Sequence, residues 1–139
     1  MSTSTHVTHA TGTLAERGDG RIVLALGHSD YRLHLVADTD AVGIADAQVG
    51  RPISGHIHAQ ARRVDVVTTG GRFIDPVYGS PRRLQGRVAA VDRRVNAITV
   101  DCCTFVTCAL MDSQVANDFE PGMLVSFDVQ SGARFELLD

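Results

Sequence analysis

Apolar and polar residues alternate in short runs along most of this chain, which is the pattern of half-buried β-strands. The clearest run is Gly122–Val129, where Met123, Val125, Phe127 and Val129 occupy every second position. Only Thr39–Gln48 and Ser113–Phe119 could hold a helical turn, so the pattern predicts an all-β fold. The predicted strands are Gly12–Glu16, Arg21–Leu26, Tyr31–Ala37, Pro52–Ala59, Ala61–Val67, Leu84–Val91, Val95–Asp101, Cys103–Met111, Gly122–Val129 and Ala133–Leu138.

The second half of the chain repeats the pattern of the first half. Gly12–Asp38 falls on Gly86–Asp112 after a shift of 74 residues, and Val49–Val66 falls on Pro121–Leu138 after a shift of 72. Apolar positions and glycines coincide in both alignments, which indicates an internal duplication. Five short antiparallel strands per copy suit a small barrel of the OB type. The sequence therefore predicts two fused five-stranded OB-like antiparallel barrels.

This architecture divides the chain into four parts. They are a flexible N-terminus at 1–11, a first barrel at 12–67, a connector at 68–81 and a second barrel at 82–139. The connector carries four large apolar residues, Phe73, Ile74, Val77 and Tyr78. In a free linker these side chains would be exposed to water, so we expect the connector to pack against the barrels and to join them.

Charge is distributed unevenly along the 139 residues. The net charge is −3, but Arg62–Arg94 carries +5 and residues 95–139 carry −6. The overall charge and the seven aromatic residues disfavour a nucleic-acid-binding role. The chain shows no signal-peptide pattern, no membrane-spanning run and an odd number of cysteines, so we expect a reduced, cytoplasmic protein.

The basic middle of the chain supplies the strongest candidate site. Ser80, Arg82, Arg83 and Arg87 stand near the start of a predicted strand. Arginine presents a forked set of donors to phosphate and other tetrahedral oxyanions. The same arginines could instead pair with the acidic C-terminal copy, within the molecule or between subunits. Both readings stay open at the level of sequence.

Two further groups of residues have side chains of the kinds that bind metal ions, namely histidine and cysteine. His56 and His58 lie on one face of a predicted strand, a spacing that can hold a metal. The alternating residues Ile53, Gly55, Ile57 and Ala59 form its inward face, so the histidines are expected to point outward. Cys102, Cys103 and Cys108 lack the spacing of a zinc site and are expected to be small buried hydrophobic residues.

Catalytic motifs are absent from the sequence. The chain has no Gly-x-Ser-x-Gly elbow, and Gly70-Gly71 lacks the Lys-Ser/Thr continuation of a phosphate-binding loop. We therefore expect a protein that is not an enzyme and that needs no cofactor.

The segment Ser80–Val88 (SPRRLQGRV) resembles the opening of the molybdate-binding Mop/TOBE domains, which run from a Ser-Ala-Arg-Asn stretch into a Gly-x-Val strand. Pro121–Val125 and the tandem layout are also similar to that family. Arg83 stands where the family has Asn, and Pro81 where it has Ala. The resemblance implies paired OB-like barrels that bind oxyanions at barrel interfaces and often oligomerise.

Three functions follow as expectations. The first is a non-enzymatic binding protein that holds a small oxyanion or a protein partner at a barrel or subunit interface. The second is an OB protein that binds single-stranded nucleic acid. The third is a structural or assembly module without a ligand, which would form a homo-oligomer.

Overall fold

A computed structural model describes residues 9–138 of the chain, and the fold is all-β. One 3₁₀ turn, Ala116–Asp118, lies in the second of the two predicted helical regions. The strands are β1 (Ala10–Gly18), β2 (Arg21–Ala25), β3 (Arg32–Val36), β4 (Pro52–Gln60), β5 (Asp65–Val66), β6 (Phe73–Asp75), β7 (Tyr78–Gly79), β8 (Arg83–Asp92), β9 (Ala97–Asp101), β10 (Phe105–Ala109), β11 (Leu124–Asp128) and β12 (Arg134–Leu137). Each predicted run contains a strand, although only Asp65–Val66 of the run Ala61–Val67 forms one. β1 begins at Ala10, inside the predicted N-terminal tail, and residues 1–8 lie outside the described part.

Five strands close into a barrel in the order β1, β2, β3, β12 and β4, and β4 pairs back with β1. The pairing between β3 and β12 is short, because it consists of one parallel residue pair, Val36 with Arg134. β12 pairs more extensively with β4, from Arg134 opposite His58 to Leu137 opposite Gly55. The N-terminal half of the chain therefore completes its barrel with a strand from the C-terminus.

The remaining strands extend the same sheet. The C-terminal end of β4 runs parallel to β10, pairing Ile57 with Val106 and Gln60 with Ala109. From β10 the sheet continues through antiparallel pairings to β9, β8, β11 and β5. An isolated bridge between Ala61 and Val129 links the chain just beyond β4 to the chain just beyond β11. β4 is thus shared by the closed barrel and by the sheet of the second half.

The connector packs on both halves. Its strand β6 pairs with β8, and its strand β7 pairs with β3. Ile74 is buried and Phe73 is half-buried, whereas Val77 and Tyr78 are exposed. Burial of one connector residue in the core and two strand pairings make the segment part of the folded unit.

Alternation along the strands builds the core. In β4, Ile53, Gly55, Ile57 and Ala59 are buried, and the residues between them are half-buried, which confirms the predicted inward face. Two glycines permit close approach of neighbouring strands. A side chain at Gly55 would meet the ring of Phe135 and the carbonyl of Glu136, and one at Gly86 would meet the carbonyl of Asp101.

The described residues contain no helix that is long and apolar enough to cross a membrane.

Candidate functional site

Three arginines line one groove of about 540 Å³ at the start of β8. Arg62 comes from the chain that follows β4, whereas Arg82 and Arg83 come from the entry to β8 and its first residue. Two aspartates, a proline and a valine complete the lining. These further residues are Asp75, Pro76, Asp128 and Val129. Formal charges on the lining side chains sum to +1, so the groove is weakly basic.

Arg83 occupies the centre of this site because β8 has a neighbour on each side. It is the ladder partner of Asp75 in β6 and of Asp128 in β11. Its Nη1 donates to Asp128 Oδ1 at 2.8 Å, and its Nη2 donates to Ser126 Oγ at 2.9 Å. The side chain of Arg83 is therefore oriented by two bonds to β11, and its charge faces the carboxylate of Asp128 in a partly exposed ion pair.

Arg62 and Arg82 are held by their main chains rather than by their side chains. The amide of Arg62 donates to the carbonyl of Asp128 at 2.8 Å. The amide of Arg82 donates to the carbonyl of Asp75 at 2.9 Å, and its carbonyl accepts from the amide of Val129 at 2.9 Å. Both side chains are exposed. Over residues 9–138, the ion pairs include Arg83 but neither Arg62 nor Arg82. Two arginines thus have their main chains fixed at the groove, and their guanidinium groups pair with no carboxylate of the described residues.

The predicted site residues do not all meet. Arg82 and Arg83 line the groove, whereas Ser80 and Arg87 do not. Arg87 lies farther along β8, and its Nη1 donates to the carbonyl of Gly122 at 2.8 Å. The pairing of a middle-region arginine with the acidic C-terminal half, which the sequence left open, is present within the molecule as the Arg83–Asp128 pair.

Sequence reasoning missed Arg62, Asp75 and Asp128. The bridge between Ala61 and Val129 brings Arg62 to the groove, and the β6–β8 ladder brings Asp75. Neither pairing has a local signal in the sequence. The excess of acidic residues in the C-terminal half was the one hint that Asp128 would face an arginine.

The two histidines lie on the outer face of β4, as predicted. His58 Nε2 is 3.2 Å from Glu136 Oε1 on β12, and the rings of His56 and His58 are 6.2 Å apart. Within the described range, no three His, Cys, Asp or Glu side chains form a group that could hold a metal ion. His58 therefore has a hydrogen-bonding contact with Glu136, and the described residues show no metal centre at this pair of histidines.

Two of the three cysteines behave as predicted. Cys102 and Cys108 are buried, and burial raises the pKa of the Cys102 thiol to about 12 and that of Cys108 well above its usual value. Both thiols are consequently protonated and pack as small apolar groups. Cys103 contradicts the prediction, since it is exposed. It occupies the turn between β9 and β10 with a φ of 93°, and its thiol lies 3.7 Å from the carbonyl oxygen of Arg72.

A second groove, of about 460 Å³, crosses the outer face of β4, β10 and β9. His58 and Arg134 stand on one side of it and Asp92 on the other, above a floor that includes Ala97, Thr107 and Ala109. Charges of both signs are present without a cluster of either. This groove lacks the convergence of arginine donors that marks the groove at β8.

Comparisons with family models, with curated proteins and with solved structures find no match.

Proposed function

We propose that this protein is a non-enzymatic anion-binding protein that holds a small oxyanion in the groove formed by Arg62, Arg82 and Arg83. One observation carries the proposal. Three arginines line a single groove, and of these three only Arg83 has a carboxylate partner in the described part of the chain. Arg62 and Arg82 therefore have donors available for a ligand.

The chemistry of the groove suits a tetrahedral anion. A guanidinium donates two parallel hydrogen bonds to adjacent oxygens of phosphate-like groups, and such charge-assisted bonds are stronger than neutral ones. The main chains of Arg62 and Arg82 are tied to Asp128, Asp75 and Val129, so binding has to order the side chains but not the backbone. Anchored backbones lower the entropic cost of capturing a ligand.

The groove lies where the two halves of the chain meet. Arg62 belongs to the N-terminal half, and Arg82, Arg83 and Asp128 belong to the C-terminal half. The resemblance to Mop/TOBE domains implies oxyanion sites at such places, and the segment that carries the resemblance includes Arg82 and Arg83. A site between the halves also agrees with the expectation of binding at a barrel interface.

We also propose that the two halves arose by duplication and form two OB-like barrels. Two β-bulges support this, because register shifts occur between Leu14 and Glu16 in β1 and between Val88 and Ala90 in β8, 74 residues apart. The fourth strand of each half pairs with the fifth strand of the other half. The pairs are β4 with β12 and β11 with β5.

The ungapped alignment of the repeat does not extend through the first hairpins. Gly18 pairs with Arg21 across a two-residue turn, whereas Asp92 pairs with Ala97 across a four-residue turn. By position in the hairpins, β2 therefore corresponds to β9 at a shift of 76, Arg21 with Ala97, and β3 corresponds to β10 at a shift of 73, Arg32 with Phe105. A superposition of the two halves tests the duplication, and failure of β1 to β4 to overlay on β8 to β11 would contradict it.

Titration with inorganic phosphate at low ionic strength tests the proposed function. Amide resonances of Arg62, Arg82 and Val129 should shift in a saturable way, and isothermal calorimetry should give the affinity. The double substitution Arg62→Gln and Arg82→Gln should weaken binding by at least about tenfold, since each removes a charge-assisted interaction. The double substitution Arg93→Gln and Arg94→Gln, at exposed hairpin positions outside the groove, is the control matched in charge. Equal affinities of the groove variant and the control would overturn the proposal.

Single-stranded nucleic acid is the competing ligand, and the exposed surface argues against it. All seven Phe and Tyr residues are described, and Tyr78 is the one that is exposed. Base stacking on a barrel face requires more than one such ring. Salt-dependent binding of an oligonucleotide, with no shift caused by phosphate, would favour that function instead. A stable homo-oligomer that binds neither ligand would favour the assembly module.

A further inference from the structure

The groove contains the carboxylate of Asp75, which accepts hydrogen bonds and repels a fully ionised anion. Asp75 lines it together with the arginines, yet no ion pair in the range 9–138 includes Asp75. Its ladder partner Arg83 turns instead to Asp128, on the opposite side of β8. The groove thus holds one carboxylate, that of Asp128, which is paired with Arg83, and a second, exposed one, that of Asp75, which no arginine of the described residues pairs with.

Asp75 is held close to the free donors by the main chain. Its carbonyl accepts the amide of Arg82 at 2.9 Å, so the two residues lie side by side at the groove. Both residues also line the groove, so a ligand held there can contact Asp75 and Arg82 together. A bound anion therefore meets donors and an acceptor together.

Oxyanions differ in whether they can satisfy such an acceptor. Inorganic phosphate keeps at least one P–OH group at neutral pH, whereas sulfate and molybdate are fully deprotonated and offer no donor. A carboxylate beside a fully ionised anion repels it and leaves its own oxygens unpaired, which costs free energy. The same carboxylate beside a P–OH group accepts a short, charge-assisted hydrogen bond.

We propose that the groove selects oxyanions that carry a hydroxyl group, inorganic phosphate above all. The P–OH group donates a hydrogen bond to the carboxylate of Asp75, while Arg62 and Arg82 donate to the remaining oxygens. This inference rests on the proposed anion-binding function and narrows its ligand. It departs from the molybdate that the Mop/TOBE resemblance implies, because molybdate has no proton to offer Asp75.

The first experiment compares phosphate, sulfate and molybdate at pH 7.5 and matched ionic strength, by calorimetry and by the shift of groove amides. Phosphate should bind at least about tenfold more tightly than sulfate or molybdate. Phosphate gains a charge-assisted hydrogen bond to Asp75, whereas the other two anions are repelled by it. Equal affinities would overturn the inference while the anion-binding function stands. No saturable binding of any of the three anions would overturn both.

Methyl phosphate separates free phosphate from phosphate esters. Most of it has lost its second proton at pH 7.5, because the second pKa of a phosphate monoester is about 6. Its affinity should therefore be close to that of sulfate and lower than that of inorganic phosphate. Binding as tight as that of inorganic phosphate would show that the proton is not recognised and would overturn the inference.

The substitution Asp75→Asn tests the assigned acceptor. An amide has nearly the same shape, carries no charge and can donate to an anion, so the preference for phosphate over sulfate should fall by about tenfold. Asp46→Asn is the matched control, because Asp46 is an exposed aspartate outside the groove. Thermal melting of both variants checks that the fold is retained. An unchanged preference in a folded Asp75→Asn variant would overturn the role of Asp75.

Discussion

The main chains of Ala61 and Val129 form an antiparallel bridge, and this single pairing sets Arg62 beside Asp128. The amide of Arg62 then donates to the carbonyl of Asp128 at 2.8 Å. The bridge joins the end of β4 to the end of β11, so it connects the two halves of the chain at the groove. Residues from both halves thereby contribute to one candidate anion site.

The pair between Arg83 and Asp128 should contribute little to stability and should restrain binding. Its side chains are 44% and 58% exposed, and exposed ion pairs stabilise proteins by about 0–1 kcal/mol. Asp128→Asn should change the free energy of unfolding by less than about 1 kcal/mol. It should also tighten phosphate binding, because it frees Arg83 and removes a negative charge. Urea denaturation and phosphate titration measure the two effects, and weakened binding would contradict this account.

Phe135 should be critical for the closed barrel. It is buried on β12, and its ring lies against Gly55 of β4. Phe135→Ala should lower the free energy of unfolding by about 3–5 kcal/mol, because a large buried ring is replaced by a cavity. Leu138→Ala, at a position that is 39% exposed just beyond the same strand, should cost less than about 1 kcal/mol. Similar losses in urea denaturation for the two variants would argue against the contribution of β12.

A side chain at Gly86 should destabilise the protein. A Cβ there would collide with the carbonyl of Asp101 on the neighbouring strand, and backbone cannot move aside as a side chain can. Gly86→Ala should therefore destabilise the protein by about 1–3 kcal/mol, the usual cost of overpacking. Gly18→Ala is the control, because a Cβ at Gly18 has no neighbour within 4 Å. Denaturant midpoints measure both, and an unaffected midpoint for Gly86→Ala would refute the close approach of β8 and β9.

The three thiols should react at very different rates. Cys103 is exposed and should be modified quickly by a thiol reagent, whereas Cys102 and Cys108 should react only after unfolding. Counting modified thiols by mass spectrometry, with and without denaturant, checks this difference. Modification of all three at the same rate in the native protein would contradict the burial of Cys102 and Cys108.

Burial of Cys102 should also make stability depend on alkaline pH. Its folded pKa of about 12 exceeds its ordinary value of 9.0, so the folded state holds the proton more tightly than the unfolded state does. The resulting stability is fully present below pH 9.0 and decreases as the pH rises towards about 12. Urea denaturation at pH 8 and pH 10.5 should show a smaller alkaline loss in Cys102→Ala than in the natural chain. An identical loss would exclude this contribution.

Strand positions and their buried faces could be read from the sequence. Ile53 and Ile57 alternate with His56 and His58, and an extended backbone alone sends such neighbours to opposite sides of a sheet. The packing of the connector was expected from its apolar residues, and Ile74 is buried, whereas Val77 and Tyr78 of the same segment are exposed. These properties depend on local geometry and on the removal of apolar surface from water.

The choice of partner strands was decided by the tertiary structure. β4 pairs with β12, and Arg62 meets Asp128, between positions that are far apart in the chain. Every strand edge offers the same main-chain donors and acceptors, so the alternating pattern cannot tell one partner from another. Only the packing of the whole sheet selects among them, and for that reason the residue types of the arginine groove were visible in the sequence but their convergence was not.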